Sequence, residues 1–292
     1  MWLWIPFTIF AAFMQSWRNA FQKQLSQDVN TTGVTLARFI YAGPLAALYV
    51  LALYAWQPVA MPHLSGLFWV YIVLASVAQI FATSLMVMLF RLRNYAIGVG
   101  LAKSEAVMAA ILGALFFGAP LSALAWMGVF IGGLAIWLMS NPESFRDISL
   151  STVVTGLGSG LCFALTVLWV REASLLLELP FPYSAAWVLV AVITTQTIIL
   201  ISWLLMKDKQ TLVALWKRPK LTLTISLFSC LGSLGWFTAM SLQTAAMVKT
   251  LGQIEVLFTL MISVVWFREK LKPKDKIGLA LIVIGAIFVM LA

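Results

Sequence analysis

The chain has 292 residues, 62% of them hydrophobic, with 19 basic and 10 acidic residues and a mean hydropathy of +0.99. A water-soluble domain is apolar over about half its residues, so a soluble fold, a disordered chain and a collagen-like repeat are excluded and the chain is expected in lipid. The net charge of +9 sits between apolar runs, without the aromatic-interleaved groove pattern of nucleic-acid binding, so no nucleic-acid partner is expected.

A bilayer core needs about 20 apolar residues per helix, and long apolar stretches broken by charge, Pro or Asn give ten spans. In chain order they are 3–22, 32–55, 66–90, 95–117, 120–140, 151–170, 183–206, 221–241, 246–267 and 274–292. The fold class expected is therefore an all-α integral membrane protein of ten transmembrane helices. No basic residue precedes the first span, and Arg18 and Lys23 lie at its far end, so it is read as a retained helix and not a cleaved signal. Cys162 and Cys230 lie inside apolar runs and read as small hydrophobes. Trp2, Trp4, Trp56, Trp69, Trp126, Trp203 and Trp266 lie near span ends, where an amphipathic ring anchors at the headgroups.

With ten crossings, the odd-numbered loops share one side of the membrane. Those loops hold fourteen Lys and Arg, including Lys23, Arg91, Lys207, Lys217 and the cluster Arg268 to Lys276, whereas Arg171 alone falls on the other side. The positive-inside rule then puts both termini away from the cytoplasm of an inner (cytoplasmic) membrane.

The polar residues within the spans carry the functional reading. Helix 1 presents Thr8, Gln15, Arg18, Asn19 and Gln22 along one line, with Ala11 and Ala12 in the gap. Gln15 and Asn19 are too short to reach the surface and read as cavity-lining; Arg18 either joins them or snorkels to the interface. Arg38 in helix 2 reads as a snorkelling anchor. Helix 3 carries Ser76, Gln79 and Thr83 at i, i+3, i+7, and helix 8 repeats that register as Ser226, Ser229 and Ser233, with Trp236 following. Trp236 reads either as core or as a platform for a planar or cationic group. Helix 4 holds Lys103 and Glu105, and helix 9 holds Lys249, Gln253 and Glu255. Each glutamate lies about ten residues into its span, ~15 Å at the helical rise, where a charge costs about 2.5–3.5 kcal/mol even on insertion scales. Lys103 and Glu105 are two apart and face away from each other, so any Lys–Glu pairing has to run between helices 4 and 9. Such pairs either pin the two helices together or serve transport. Glycines at 98, 100, 232, 235 and 252 mark either close helix packing or interrupted helices.

Sliding the chain against itself by 150 positions matches Ser76 with Ser226, Glu105 with Glu255, Phe117 with Phe267 and Gly128 with Gly278. Five crossings per copy reverse the second copy in the membrane, so an inverted repeat of two five-helix units is expected, 1–142 and 151–292, with a site near the midplane between them. On this repeat, and on Glu269, Leu271, Gly278 and Gly285 at the hinge and down the last helix, the chain resembles the EamA-domain branch of the drug/metabolite transporter superfamily. The first copy keeps Leu121, Gly128, Gly132 and Gly133 but has Ala119 where the hinge glutamate would stand. The resemblance implies a transporter, often an exporter, of amino acids, nucleobases, metabolites or drugs; it also implies cytoplasmic termini, against the charge count.

The expected function is thus a secondary transporter or facilitator of a small organic solute, working by alternating access, with protons or an exchanged solute as coupling partners. The candidate residues are Glu105, Glu255, Lys103, Lys249, Gln253, Gln15, Asn19, Arg18, Gln79, Thr83, Ser229, Ser233 and Trp236. No cofactor or metal is expected, and the chain is read as a monomer or homodimer among membrane lipids. A lipid-translocating protein or a non-transporting scaffold would use the same fold. An intramembrane acyl or glycosyl transferase fares worse, because the sole histidine, His63, falls in a loop and no Ser/His or His/Asp constellation occurs.

Overall fold

The computed structural model describes residues 2–91, 102–119, 121–140, 150–266 and 273–292. Among them the regular structure is entirely helical. We number the helices α1 (Trp4–Leu25), α2 (Thr31–Ala37), α3 (Ala42–Trp56), α4 (Gly66–Arg91), α5 (Glu105–Phe116), α6 (Ala123–Ser140), α7 (Leu150–Leu176), α8 (Tyr183–Lys207), α9 (Lys209–Trp216), α10 (Pro219–Leu242), α11 (Ala245–Gly252), α12 (Glu255–Trp266) and α13 (Pro273–Leu291). Six segments among the described residues are long and apolar enough to cross a membrane: Thr31–Trp56, Gly66–Leu89, Leu150–Leu176, Tyr183–Lys207, Pro219–Leu242 and Ala245–Ile262. Shorter apolar helices, such as Glu105–Phe116 and Ala123–Leu138, stand beside them.

Among the described residues three expected continuous spans are broken. The second divides into α2 and α3 around Arg38–Tyr41. Pro44 accounts for the position, since its ring clashes with the carbonyl four residues back and it lacks the N–H that would bond there. A neighbouring helix repairs the ladder: Ser226 on α10 donates to the Ala37 carbonyl at 2.7 Å and accepts from the Tyr41 N–H at 3.2 Å. The ninth span divides at Gln253–Ile254, where the backbone tightens, with Gln253 N–H bonded to Thr250 O and Ile254 N–H to Leu251 O. Glycine at 252 is required there by the Trp236 indole, which lies where a β-carbon would sit. The stretch just before α5 is likewise a turn, over Lys103–Ser104, so each buried glutamate opens a half-helix.

Helix α9 was absent from the sequence reading. It is a short surface helix joining α8 to α10, capped by Asp208. Asn30 caps α2 through the Gly33 N–H at 2.8 Å and donates to Asp208 at 2.7 Å, which ties the first loop to the start of α9.

Lipid tails are as apolar as leucine, so helices associate through close packing rather than through exclusion from water. The extensive helix pairs are α4 with α7, α6 with α13 and α1 with α10. In the second pair Gly128 and Gly285 bring two backbones together: a β-carbon on Gly128 would stand 2.8 Å from the Gly285 carbonyl, and one on Gly285 would stand 3.0 Å from the Gly128 carbonyl. In the third, Gly235 lies against Ala11 and the Phe7 carbonyl. Trp56, Trp69 and Trp203 are exposed, consistent with anchoring, whereas Trp4 is buried and packs into the core. The anchor reading of Trp4 is therefore corrected. Gly98 and Gly100, and the hinge residues Glu269 and Leu271, lie outside the described residues.

Candidate functional site

The interior of the bundle holds six buried charges among the described residues: Arg18, Arg38, Lys103, Glu105, Lys249 and Glu255. The lysines and glutamates pair crosswise. Lys103, just before α5, forms an ion pair with Glu255 at the start of α12, and Lys249 on α11 reaches Glu105 at the start of α5 over 3.6 Å. Each carboxylate occupies the first turn of its helix, where free N–H groups and the helix dipole favour negative charge.

Glu255, only 2% exposed, is the more heavily bound. Its Oε2 accepts from Lys103 and from the Gln15 amide at 2.6 Å, and its Oε1 accepts from the Asn19 amide at 2.8 Å. Helix α1 thus reads the acid through two residues one turn apart. Gln15 in turn accepts from the Trp236 indole N–H at 2.9 Å, and the Lys249 ammonium stands 4.1 Å from the centre of the same ring. The face of Trp236 thus carries a cation from within the chain, Lys249. Arg18 donates through Nη2 to Asn19 Oδ1 at 2.8 Å. Its remaining buried nitrogens, Nε and Nη1, meet no protein acceptor. Burial decides between the two readings of Arg18: the residue is 3% exposed and does not reach the surface.

The polar stripes of helices 3 and 8 meet through a residue the sequence reading had set aside. Arg38 is buried at the break between α2 and α3, donating through Nη1 to Thr83 at 2.7 Å and through Nε to Ser229 at 3.1 Å. The snorkelling assignment of Arg38 is thus corrected: it sits in the turn over Arg38–Tyr41 between the two helices, with its side chain directed inward. Ser233 is buried one turn beyond Ser229. Gln79 is drawn elsewhere, accepting from the Gln196 amide of α8 at 2.6 Å. Gln196, fully buried, was missed; an isolated amide in the apolar run of α8 was the available signal. Gln253 lies against Gly132 of α6, and neither its amide nitrogen nor its oxygen finds a protein partner. The expected site residues therefore fall into a Glu255–Lys103–Gln15–Asn19–Arg18 cluster, linked through Trp236 to Lys249 and Glu105, and a separate Arg38–Thr83–Ser229 group. Arg171, the one loop base expected on the far side, caps α10 by donating to the Met240 carbonyl at 2.6 Å and to that of Gln243.

Cavities approach this centre from two directions. One, of about 450 Å³, is lined by Trp17, Phe21, Lys23, Gln24 and Ile262, the last lying two turns beyond Glu255. Another, of about 340 Å³, begins a turn beyond Glu105 at Ala109 and Ala110 and extends to Arg171 and Glu172. Neither is lined by the glutamates themselves, so the charge cluster is closed from both in this conformation. Among the described residues, no group of three or more His, Cys, Asp or Glu stands together as metal ligands.

Residues 150–291 match the EamA-like transporter family. A solved structure described as "Crystal structure of protein" superposes with a TM-score of 0.69 at 15% identity, covering 98% of this chain and 96% of that one, a likeness of fold alone. None of the curated proteins matches the chain. Together the apolar helices and the match over residues 150–291, just under half of the chain, support a multi-pass membrane protein whose second half is similar to the EamA-like transporters.

Proposed function

We propose that the protein is a secondary transporter or facilitator that moves a small organic solute across the inner (cytoplasmic) membrane by alternating access, in the direction of export. Ten crossings arranged as two inverted five-helix copies, 1–142 and 151–292, would form its moving halves. The pairing of helices supports this: exchanging each span for the one five places away converts the α1–α10 contact into α7–α4 and returns α6–α13 to itself.

The observation that carries the proposal is the crossed pair of buried ion pairs, Lys103 with Glu255 and Lys249 with Glu105. Each joins a half-helix of one copy to the other copy. Rocking of the halves would stretch one pair and compress the other, while Gln15 and Asn19 exchange the Glu255 carboxylate for a guest. With both of its oxygens engaged, Glu255 is released only by something that replaces its donors or neutralises its charge, such as a proton or a bound solute. The two cavities at opposite ends would serve as the alternating entrances.

In proteoliposomes, Glu105→Gln and Glu255→Gln are expected to insert and to lose flux, with Glu255→Gln the more severe because it disconnects α1 as well. A metabolite-wide thermal-shift screen identifies the solute to be followed. Undiminished flux in both variants would reduce these acids to helix glue. The pH dependence of flux separates proton coupling from passive facilitation.

A further inference from the structure

The end of the bundle that carries the basic loops holds a cleft with two unlike halves. One is the largely apolar cavity of about 450 Å³ already described; the other is a basic groove of about 370 Å³, lined by Lys217, Arg218, Pro219, Lys220 and Leu221 where α9 gives way to α10. Gln24, near the end of α1, belongs to both walls, so the halves adjoin along the seam between α1 and α10. Aromatic rings pave the apolar half: Phe21 is stacked 6.0 Å from Trp17 and stands 5.6 Å from Phe228 of α10. Of the three cations in the basic half, Arg218 alone meets an acid among the described residues, Asp28 at 3.1 Å, which ties the loop after α1 to the start of α10. Lys217 and Lys220 are exposed, as is Trp216 beside them, and Leu223 and Leu227 continue below Lys220 as an exposed apolar strip one and two turns into the helix.

A soluble anion would use the lysines and leave the rings idle; a neutral hydrocarbon would do the reverse. What satisfies both halves is a negative headgroup joined to an acyl chain. We propose that this seam binds an anionic phospholipid, its phosphate received by Lys217, Lys220 and Arg218 and its hydrocarbon lying on the rings of Trp17, Phe21 and Phe228. Lys and Arg clustered at a membrane surface attract anionic headgroups, each cation adding to the affinity, whereas a zwitterionic headgroup brings no net charge. The lipid stays with the protein and braces α1 against α10, so the claim holds whatever solute is carried. Because α1 is also the helix whose Gln15 and Asn19 bond Glu255, a lipid that steadies α1 steadies the charged centre.

Purified protein in nonionic detergent is melted at fixed ionic strength with dioctanoyl phosphatidylglycerol, dioctanoyl phosphatidylcholine or glycerol phosphate. A saturable rise in melting temperature is expected with phosphatidylglycerol and with neither of the others. Lys217→Gln/Lys220→Gln should weaken the apparent affinity about 25-fold, about fivefold for each cation removed, and both lysines are exposed, so the core is untouched. Lys207→Gln/Lys209→Gln, the same loss of charge at the other end of α9, should leave the affinity unchanged. Equal stabilisation by phosphatidylcholine would mean ordinary solvation by lipid, equal stabilisation by glycerol phosphate an anion site without a hydrocarbon half, and equal losses in the two double variants a diffuse effect of charge. Each of these overturns the proposal, as does the absence of any rise with phosphatidylglycerol. Flux in proteoliposomes tests the carrier reading separately, and its loss would leave the lipid site standing.

Discussion

Glu255 is held by three donors from two parts of the chain, and its removal leaves Lys103 buried without its ion-pair partner. Breaking one side of a buried pair is destabilising by about 3–5 kcal/mol, whereas replacing both partners by apolar or neutral groups of similar size is often nearly neutral. Glu255→Gln is therefore expected to lower the melting temperature in detergent, and the double variant Lys103→Met/Glu255→Gln to recover most of the loss without recovering flux. Stability and flux returning together would show that the pair acts only as a brace. At the membrane surface, hydrogen bonds from Thr211, the hydroxyl first and the backbone N–H next, hold the Asp208 carboxyl below the usual carboxylate range. A depressed carboxyl stabilises the fold above its unfolded value, and that contribution is lost as pH falls through its folded one. Amide protection over 209–216, taken relative to the intrinsic exchange rate at each pH, should thus fall on acidification in wild type, and Asp208→Asn should flatten that response.

Helix breaks set the architecture at the next scale. Pro44 ends the α2 ladder, and Ser226 from α10 satisfies the exposed backbone, so the break is shared between two helices. The Gln253–Ile254 break needs no proline; Gly252 admits the Trp236 ring, and tightened turns carry the chain into α12. Both breaks sit beside a buried charge, Arg38 in one case and Glu255 in the other. Interrupted helices do this because backbone freed from the ladder is tolerated at membrane depth only where protein surrounds it. The α6–α13 contact depends instead on uninterrupted helices in close approach. Gly128→Ala would set a β-carbon 2.8 Å from the Gly285 carbonyl and against Val289, and separating the helices to relieve it should destabilise by about 1–3 kcal/mol. Thermal denaturation measures the effect, and an unchanged melting temperature would mean that this seam carries little of the stability.

Over the whole molecule, the basic loops bear on orientation. A C-terminal alkaline phosphatase fusion should be active and a fluorescent-protein fusion dark if fourteen basic loop residues against one fix the topology. The reverse pattern would return the termini to the cytoplasm, as the family resemblance implies. The same count of charges contained an excess of cations within the spans: of 19 basic residues, fourteen fall in one set of loops and Arg171 in the other, leaving four within spans against two acids there. Assigning Arg38 to the interface hid that excess, because a long side chain near a span end reaches either the headgroups or the interior, and sequence distance alone does not distinguish them.

By itself the sequence determined that the chain is helical and apolar enough for a membrane, and it singled out Glu105 and Glu255, because charge within a long apolar run is costly enough to be conspicuous wherever the helix packs. Lys103 and Lys249 were legible for the same reason, and the two-residue offset of Lys103 from Glu105 required a partner on another helix. Only the tertiary structure decided which lysine meets which glutamate, that Gln15 and Asn19 close on Glu255, and that Lys249 occupies the face of Trp236. Apart from the Lys249–Trp236 contact, these join residues more than a hundred positions apart. They depend on where α1, α5, α10, α11 and α12 cross and on the rotation of each helix about its axis, quantities set by small-residue packing and backbone breaks across the whole bundle rather than by any local run of residues.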